Sequence, residues 1–182
     1  MDILIRPERD GELTEIMSLV ESAFADVEES DHREQELVER LHRSDAFVPA
    51  LSLVAEDDRG KIVGYILLSE AAIVGYAEEG GQPEWLTLAV APLAVRPDFW
   101  GRGIGGTLLR RAHSDAAALG YGTAVLLGHA GYYPRFGYER AGDHGIVFPL
   151  DAPSECCMVR ELRPDVLDGV RGTVRYPAAF GI

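Results

Sequence analysis

Apolar and polar residues follow two different periods along the first quarter of the chain. The segment from Asp2 to Arg6 alternates between the two classes and contains β-branched residues, so it predicts a first strand. Apolar residues between Leu13 and Phe24 recur at helical spacing and predict an amphipathic helix. A second, more charged helix is predicted over Glu34 to Arg43.

The middle of the chain has the pattern of a β-sheet. Leu51 to Glu56 and Lys61 to Glu70 are strand-like and flank the turn Asp57 to Gly60, which predicts an antiparallel hairpin. The next segment, Leu86 to Val95, is almost wholly apolar, which favours a buried strand over an edge strand. Pro92 donates no ladder hydrogen bond, so a buried strand that contains it is predicted to bulge there.

A glycine cluster and a helical pattern follow that strand. The helix predicted after the glycines ends at Gly120, and Thr123 to Leu127 then reads as a short buried strand. A right-handed crossover makes this strand parallel to Leu86 to Val95. The inward face of the helix is predicted to consist of Leu108, Leu109, Ala112, Ala116 and Leu119.

The glycine cluster itself carries chemistry. Such a turn at the start of a helix presents unpaired backbone N–H groups and the positive end of the helix dipole, with no side chains to block a ligand. This arrangement predicts a phosphate-binding site. The glycines concerned are Gly101, Gly103, Gly105 and Gly106, and the nearby cations are Arg96, Arg102, Arg110 and Arg111.

Three alternative roles for the glycine cluster fit the sequence less well. A dinucleotide-binding turn would match Gly101, Gly103 and Gly106, but the segment from Leu126 to Ala130 lacks the carboxylate that should bind ribose. A P-loop would need Gly-Lys-Ser or Gly-Lys-Thr, which does not occur in the sequence. A tight turn without a ligand would not need four glycines.

Charge and composition narrow the class of protein. The formal net charge is −13 at pH 7, and the excess of acidic residues precedes Leu93, which argues against a nucleic-acid partner. The sequence has neither a long apolar run nor a leader-like start, so a cytoplasmic protein without a membrane partner is predicted. Cys156 and Cys157 are too few for a metal site and are predicted to be strand residues, so no metal is expected.

Two motifs, in this order and spacing, resemble the GNAT superfamily of acetyl-CoA-dependent N-acetyltransferases, and its small bacterial members in particular. They are LAVRPDFWGRGIG, beginning at Leu93, and LGHAGYYPRFGY, beginning at Leu127. The likeness extends to GTVRYPAAFG near the C-terminus and so covers nearly the whole chain.

The resemblance implies an α/β fold with a mixed, mostly antiparallel sheet of about six or seven strands. This sheet is splayed at two parallel central strands and has helices on both faces. We expect one acetyltransferase domain over residues 1–182, with a C-terminal extension, residues 150–182, packed onto it.

The resemblance also implies a donor site for acetyl-CoA. The Leu93 N–H would face the thioester oxygen, and Ala94 and Val95 would pair with pantetheine as an added strand does. Trp100 stands where the family motif usually has Gln or Arg. The implied donor-binding residues are Leu93, Ala94, Val95, Trp100, Gly101, Arg102, Gly103, Ile104, Gly105, Gly106 and Thr107.

For catalysis, Tyr133 matches the general-acid tyrosine of the family because it stands four residues before Gly137. The sequence leaves the general base for the acceptor amine open. Many relatives place a glutamate on the strand that corresponds to Leu86 to Val95, and this segment has no carboxylate. His129 is a candidate base or positioning group, and removal of the proton through water by Glu84, Asp26 or Glu28 is equally open.

The reaction implied is acetyl transfer to a primary amine of a small molecule or of a peptide or protein, by direct attack in a ternary complex. A protein that binds acyl-CoA as a sensor or assembly module without turnover is the alternative. We expect the acceptor to depend on two irregular segments, Phe24 to Asp31 and Ala71 to Glu84. Homodimers are common in the family, so the resemblance also allows a homodimer.

Overall fold

The computed structural model describes residues 2–77 and 79–182, which fall into two compact units. The first contains the described residues up to Ser69 together with Ala91–Asp115, and the second contains Glu70–Val90 and Ala116–Ile182. Glu78, part of the irregular segment expected to affect the acceptor, lies outside the described residues. That the chain is a single domain with a C-terminal extension stays a prediction.

The fold is mixed α/β with a mostly antiparallel sheet, as predicted. The α-helices are α1 (Leu13–Phe24), α2 (Glu34–His42) and α3 (Ile104–Ala118). The strands are β1 (Leu4–Pro7), β2 (Phe47–Glu56), β3 (Ile62–Val74), β4 (Glu84–Val95), β5 (Thr123–Leu127), β6 (Glu139–Arg140), β7 (Ile146–Val147), β8 (Cys157–Glu161) and β9 (Gly172–Arg175). No helix among the described residues combines the length and the apolar character needed to cross a membrane.

In the first unit, β1, β2 and β3 pair in antiparallel order. The predicted hairpin between β2 and β3 is confirmed, and its turn is closed by a hydrogen bond of 2.9 Å from the Asp57 N–H to the Lys61 carbonyl. Helix α3 lies close against this hairpin because Gly64 has no side chain. A Cβ at Gly64 would lie only 3.0 Å from Leu108 Cδ1 and 3.3 Å from Ala55 Cβ.

In the second unit, β4 and β5 form the predicted parallel pair, with Leu88 opposite Ala124 and Ala89 opposite Val125. Just before this pair, the buried Thr123 hydroxyl donates a hydrogen bond of 2.7 Å to the Thr87 hydroxyl. Strand β8 pairs antiparallel with β5 and β6, while β9 pairs antiparallel with the end of β3 and parallel with β7.

Four expectations need correction. Nine strands are present among the described residues, not six or seven, and β9 was not predicted. Strand β4 begins at Glu84, not Leu86. Leu86 is 57 % exposed whereas Thr87 is buried. Leu119 lies beyond the end of α3 and is 52 % exposed, so it is not on the inward face.

Pro92 lies within β4, and the peptide bond that precedes it is cis. The bulge expected at this residue stays a prediction.

Candidate active site

The candidate feature of the first unit is the glycine turn, defined here as residues 100–106. It follows β4, whose end is fixed by a hydrogen bond of 3.0 Å from the Arg96 N–H to the Val63 carbonyl. A short 3-10 helix, Pro97–Phe99, leads into it. Gly101 and Gly103 have φ angles of +74° and +77°, in the left-handed region where a side chain is strained. The backbone conformation therefore requires glycine at these two positions.

The glycine turn leaves a row of N–H groups ahead of the helix. The Thr107 N–H donates the first bond of α3, 3.0 Å long, to the Gly103 carbonyl. The N–H groups of Ile104, Gly105 and Gly106 precede this bond and have no acceptor within the helix. A Cβ placed on Gly101 or Gly103 would meet nothing within 4 Å. The open space and the dipole of α3 together suit an anion such as a phosphate.

Cations beside the glycine turn are held by local contacts. The Arg96 guanidinium pairs with the Asp98 carboxylate at 3.0 Å. The Arg102 guanidinium lies 4.9 Å from the centroid of the Phe99 ring and donates a hydrogen bond of 3.3 Å to the Asp98 carbonyl. The turn therefore has positively charged side chains next to its free N–H groups.

Trp100 has an unusual combination of exposure and order. Its side chain is 55 % exposed, yet its indole Nε1–H donates a hydrogen bond of 2.7 Å to the Val95 carbonyl. Val95 is one of the three residues expected to line the donor, together with the half-buried Leu93 and the buried Ala94. Since a carbonyl has two lone pairs, Val95 keeps one of them for a further donor.

The candidate feature of the second unit is the tyrosine turn, defined here as residues 128–138. It begins after β5, where the Gly128 N–H donates a hydrogen bond of 3.0 Å to the Cys156 carbonyl. The His129 carbonyl then accepts from the Tyr132 N–H at 3.0 Å and from the Tyr133 N–H at 3.4 Å. The turn ends at Gly137, with φ +82°. The backbone of His129 thus closes the turn, while its side chain is exposed.

Packing fixes the ring of Tyr133. It makes edge-to-face contacts with Tyr132, at a centroid distance of 5.0 Å, and with Tyr138, at 5.8 Å. A Cβ on Gly128 would lie 2.8 Å from Tyr133 Cδ2 and nearer still to Cε2, so the ring occupies the space that a side chain would need. Position 128 therefore has to be glycine while Tyr133 keeps this place.

The environment of Tyr133 keeps its hydroxyl protonated. Burial, and to a lesser degree the neighbouring Tyr132, raise the pKa of Tyr133 to about 12. Burial disfavours the charged phenolate because it removes the water that would solvate it. At neutral pH the side chain is a proton donor, as a general acid must be.

Strand β4 does carry a carboxylate, which the sequence placed just outside it. Glu84 is the first residue of β4 and is exposed, and its Oε1 accepts a hydrogen bond of 2.5 Å from the Arg175 guanidinium. The carboxylate is therefore engaged by Arg175. Asp26 and Glu28, the other carboxylates considered, are exposed.

The comparisons with known proteins agree with this fold. Residues 49–140 match a family model described as the acetyltransferase (GNAT) domain. The chain is 41 % identical to the uncharacterized N-acetyltransferase YjhQ of Escherichia coli over 143 residues, or 75 % of this chain and 76 % of that protein. It is 33 % identical to the uncharacterized N-acetyltransferase YhbS of the same species over 98 % of both chains.

Solved structures show the same likeness. The crystal structure of YhbS from Escherichia coli in complex with CoA superposes with a TM-score of 0.83 at 31 % identity, over 99 % of this chain and 92 % of that one. A GNAT family acetyltransferase from Brucella melitensis in complex with acetyl-CoA has a TM-score of 0.76 at 33 % identity over 98 % of both chains. The chain belongs to the GNAT family of N-acetyltransferases, and its enzyme class is that of the acyltransferases.

Proposed function

We propose that the protein transfers the acetyl group of acetyl-CoA to a primary amine of a small molecule, a peptide or a protein. The row of N–H groups in the glycine turn carries this proposal, because it supplies the anion site that a pyrophosphate requires. Two similar structures, from Escherichia coli and Brucella melitensis, contain CoA and acetyl-CoA. Acetyl-CoA would supply an acyl group already activated as a thioester.

In this proposal the backbone does most of the binding. The N–H groups of Ile104, Gly105 and Gly106 hold the pyrophosphate at the start of α3. The Leu93 N–H polarises the thioester carbonyl as an oxyanion donor does. Ala94 and Val95 pair with the pantetheine amides through their main chain.

Tyr133 acts as the general acid. The amine nitrogen attacks the thioester carbon directly in a ternary complex, a C–N bond forms and the C–S bond breaks. Tyr133 gives its hydroxyl proton to the departing sulfur, and the amine releases one proton. With the pKa of Tyr133 at about 12 and that of a thiol at about 8.5, proton transfer to a free thiolate is uphill by roughly 5 kcal/mol. The proton is therefore donated in concert with the breaking of the C–S bond, so that no free thiolate has to form.

The amine must be neutral before it attacks. An aliphatic amine with a pKa near ~10 is mostly protonated at neutral pH. In this proposal a water molecule accepts that proton, since Glu84 is paired with Arg175 and the His129 side chain is exposed. The rate is then expected to rise with pH as more of the amine is neutral.

Two measurements test the proposed function. Isothermal titration with acetyl-CoA should show binding in the micromolar range, and absence of binding at high micromolar donor would refute the proposal. Thiol release is then followed with a panel of amines, including small aliphatic amines, amino acid esters and lysine peptides. Intersecting initial-rate lines would support a ternary complex. Tight binding without turnover on any class of amine would instead support the acyl-CoA sensor.

A further inference from the structure

From the geometry of Trp100 we infer that its indole is a stacking platform for the adenine base of acetyl-CoA, an inference that rests on the proposed function. The exposure of Trp100 is not enough to support this role, because single exposed apolar side chains are common on protein surfaces. Three further features support it: the indole is fixed, it lies beside the glycine turn, and its flat ring suits a purine.

The indole is held in place although it is open to solvent. Its Nε1–H donates a hydrogen bond of 2.7 Å to the Val95 carbonyl at the end of β4, while 55 % of the side chain is exposed. A ring that is already fixed loses little conformational freedom when a ligand packs on it. Trp100 is thus pre-organised for a flat partner.

The neighbouring aromatic residue is not available in the same way. The Phe99 ring is half-buried, and the Arg102 guanidinium lies over it at 4.9 Å from the centroid. In the stretch from Arg96 to Thr107, Trp100 is therefore the open aromatic ring.

Position then selects the ligand. Trp100 directly precedes Gly101, where the space beside the backbone is open, and the N–H groups proposed to hold the pyrophosphate follow within a few residues. In acetyl-CoA the adenine is separated from the pyrophosphate by a single ribose. The adenine is therefore the part of acetyl-CoA that lies near enough to the pyrophosphate to reach the indole. A base has a flat π-face, so it can stack on an aromatic ring without forming hydrogen bonds to it.

This role also explains how the departure from the family motif is tolerated. The Gln or Arg usually found at this position is replaced by a side chain whose one donor, the indole N–H, is already bonded to the Val95 carbonyl. Trp100 instead adds apolar and stacking contact to the nucleotide end of the donor.

Kinetics with two donors test the inference. The natural chain and the variants Trp100→Ala, Trp100→Phe and Trp100→Gln are assayed with acetyl-CoA and with acetyl-4′-phosphopantetheine, which lacks the 3′-phosphoadenosine and keeps one of the two phosphates of the pyrophosphate. For acetyl-CoA we expect KM to rise about 5- to 100-fold in Trp100→Ala and Trp100→Gln. Trp100→Phe keeps a ring, so its KM should rise less than about fivefold. The KM for acetyl-4′-phosphopantetheine should be the same in all four proteins.

An equal rise of KM for both donors would overturn the inference, because it would mean that the indole acts through the Val95 carbonyl and the shape of the turn. Unchanged KM for acetyl-CoA in Trp100→Ala would overturn it as well. If the natural chain binds neither donor, the proposed function fails and the inference with it. The first two results leave the proposed function standing, so the two failures are distinguishable.

Fluorescence gives a second readout that does not depend on turnover. The sequence contains two tryptophans, and Trp85→Phe leaves Trp100 as the sole indole. Titration of this variant with CoA should quench its emission, because a stacked purine quenches indole, whereas 4′-phosphopantetheine should leave the emission unchanged. Binding of CoA by calorimetry without any change in emission would contradict stacking.

Discussion

The glycine turn and the tyrosine turn share a local geometry but differ in what lies beside the backbone. Each follows a strand, contains or adjoins a short 3-10 helix and includes a glycine with positive φ. At Gly101 and Gly103 the space beside the backbone is empty, whereas at Gly128 the ring of Tyr133 fills it. One turn leaves open space beside its main chain, and the other is filled by a single side chain.

This difference separates two kinds of sensitivity. If the proposed roles hold, we expect a site made of backbone groups to tolerate a new side chain, such as Trp100, but not a change of main-chain conformation. A site made of one hydroxyl depends on every ring that packs against it. Substitutions in the two turns test this distinction.

Tyr133→Phe removes the proposed acid and leaves its packing against Tyr132 and Tyr138 in place. We expect kcat to fall by about 10²–10⁴-fold, the usual loss for a positioned acid, with little change in the Kd for acetyl-CoA. The measurement is thiol release with saturating donor and an amine found active in the panel. Tyr132→Phe is the matched control and should stay within about twofold of the natural chain, since the hydroxyl of Tyr132 has no proposed role. Near-normal turnover of Tyr133→Phe would remove this residue from the mechanism.

Gly128→Ala leaves the hydroxyl in the protein but moves it. The new Cβ would lie 2.8 Å from Tyr133 Cδ2, so the ring has to shift. A displacement of about 1 Å costs on the order of 10²-fold in rate, and we expect a loss of that size in kcat with donor affinity retained. Gly131→Ala, where a Cβ meets nothing within 4 Å, is the control in the same turn. If both variants keep normal activity, the packing of Tyr133 does not set its role.

Gly103→Ala tests the backbone site. Position 103 has φ +77°, and holding alanine in this region costs about 1–2 kcal/mol. We expect KM for acetyl-CoA to rise about 5- to 30-fold, with kcat changed less than twofold. Gly142→Ala, with nothing within 4 Å and no left-handed φ, should change neither. A fall in kcat at constant KM would place the effect in the chemical step and contradict the distinction between the turns.

The smallest effect concerns pH. A general acid works while it is protonated, that is, below its pKa, and the pKa of Tyr133 is about 12. Activity should therefore rise with pH as the amine becomes neutral and should show no Tyr133-dependent decline up to about pH 10.5. The profile of kcat/KM for the natural chain and for Tyr133→Phe should have the same shape at different heights. An alkaline limb near pH 9 that disappears in Tyr133→Phe would show that the pKa is not raised.

Long periodic segments were predicted well because burial of one face leaves a clear pattern. The spacing from Leu13 to Phe24 matches α1, and the hairpin over Asp57 to Gly60 is present. Short elements were harder. Strand β9 is four residues long, and Gly172, at its start, has φ +143° and approaches the Val74 carbonyl so closely that a Cβ could not fit. In the sequence, this glycine is indistinguishable from a turn residue.

The same limit applies to the candidate site. The order of the two motifs selected Gly103 and Tyr133 as candidates, and their roles stay predictions, whereas the pairing of Glu84 with Arg175 joins residues 91 positions apart. A polar cluster in the first unit shows the same limit. The Ser52 hydroxyl donates to Glu8 at 2.5 Å, and His42 lies 2.8 Å from the same carboxylate. Contacts of this kind depend on how strands and helices pack, and no local pattern encodes them.

The sequence by itself determined the family, the glycines of the turn and the place of Tyr133, because these depend on residue type and spacing along a single segment. Only the tertiary structure decided that Gly128 must be glycine, that the pKa of Tyr133 is raised and that Trp100 is both exposed and fixed. The physical reason is that burial and hydrogen bonding are properties of neighbours in space. For Trp100, the sequence indicated a departure from the family motif. The fixed and exposed indole in the structure led to the testable proposal that adenine stacks on it.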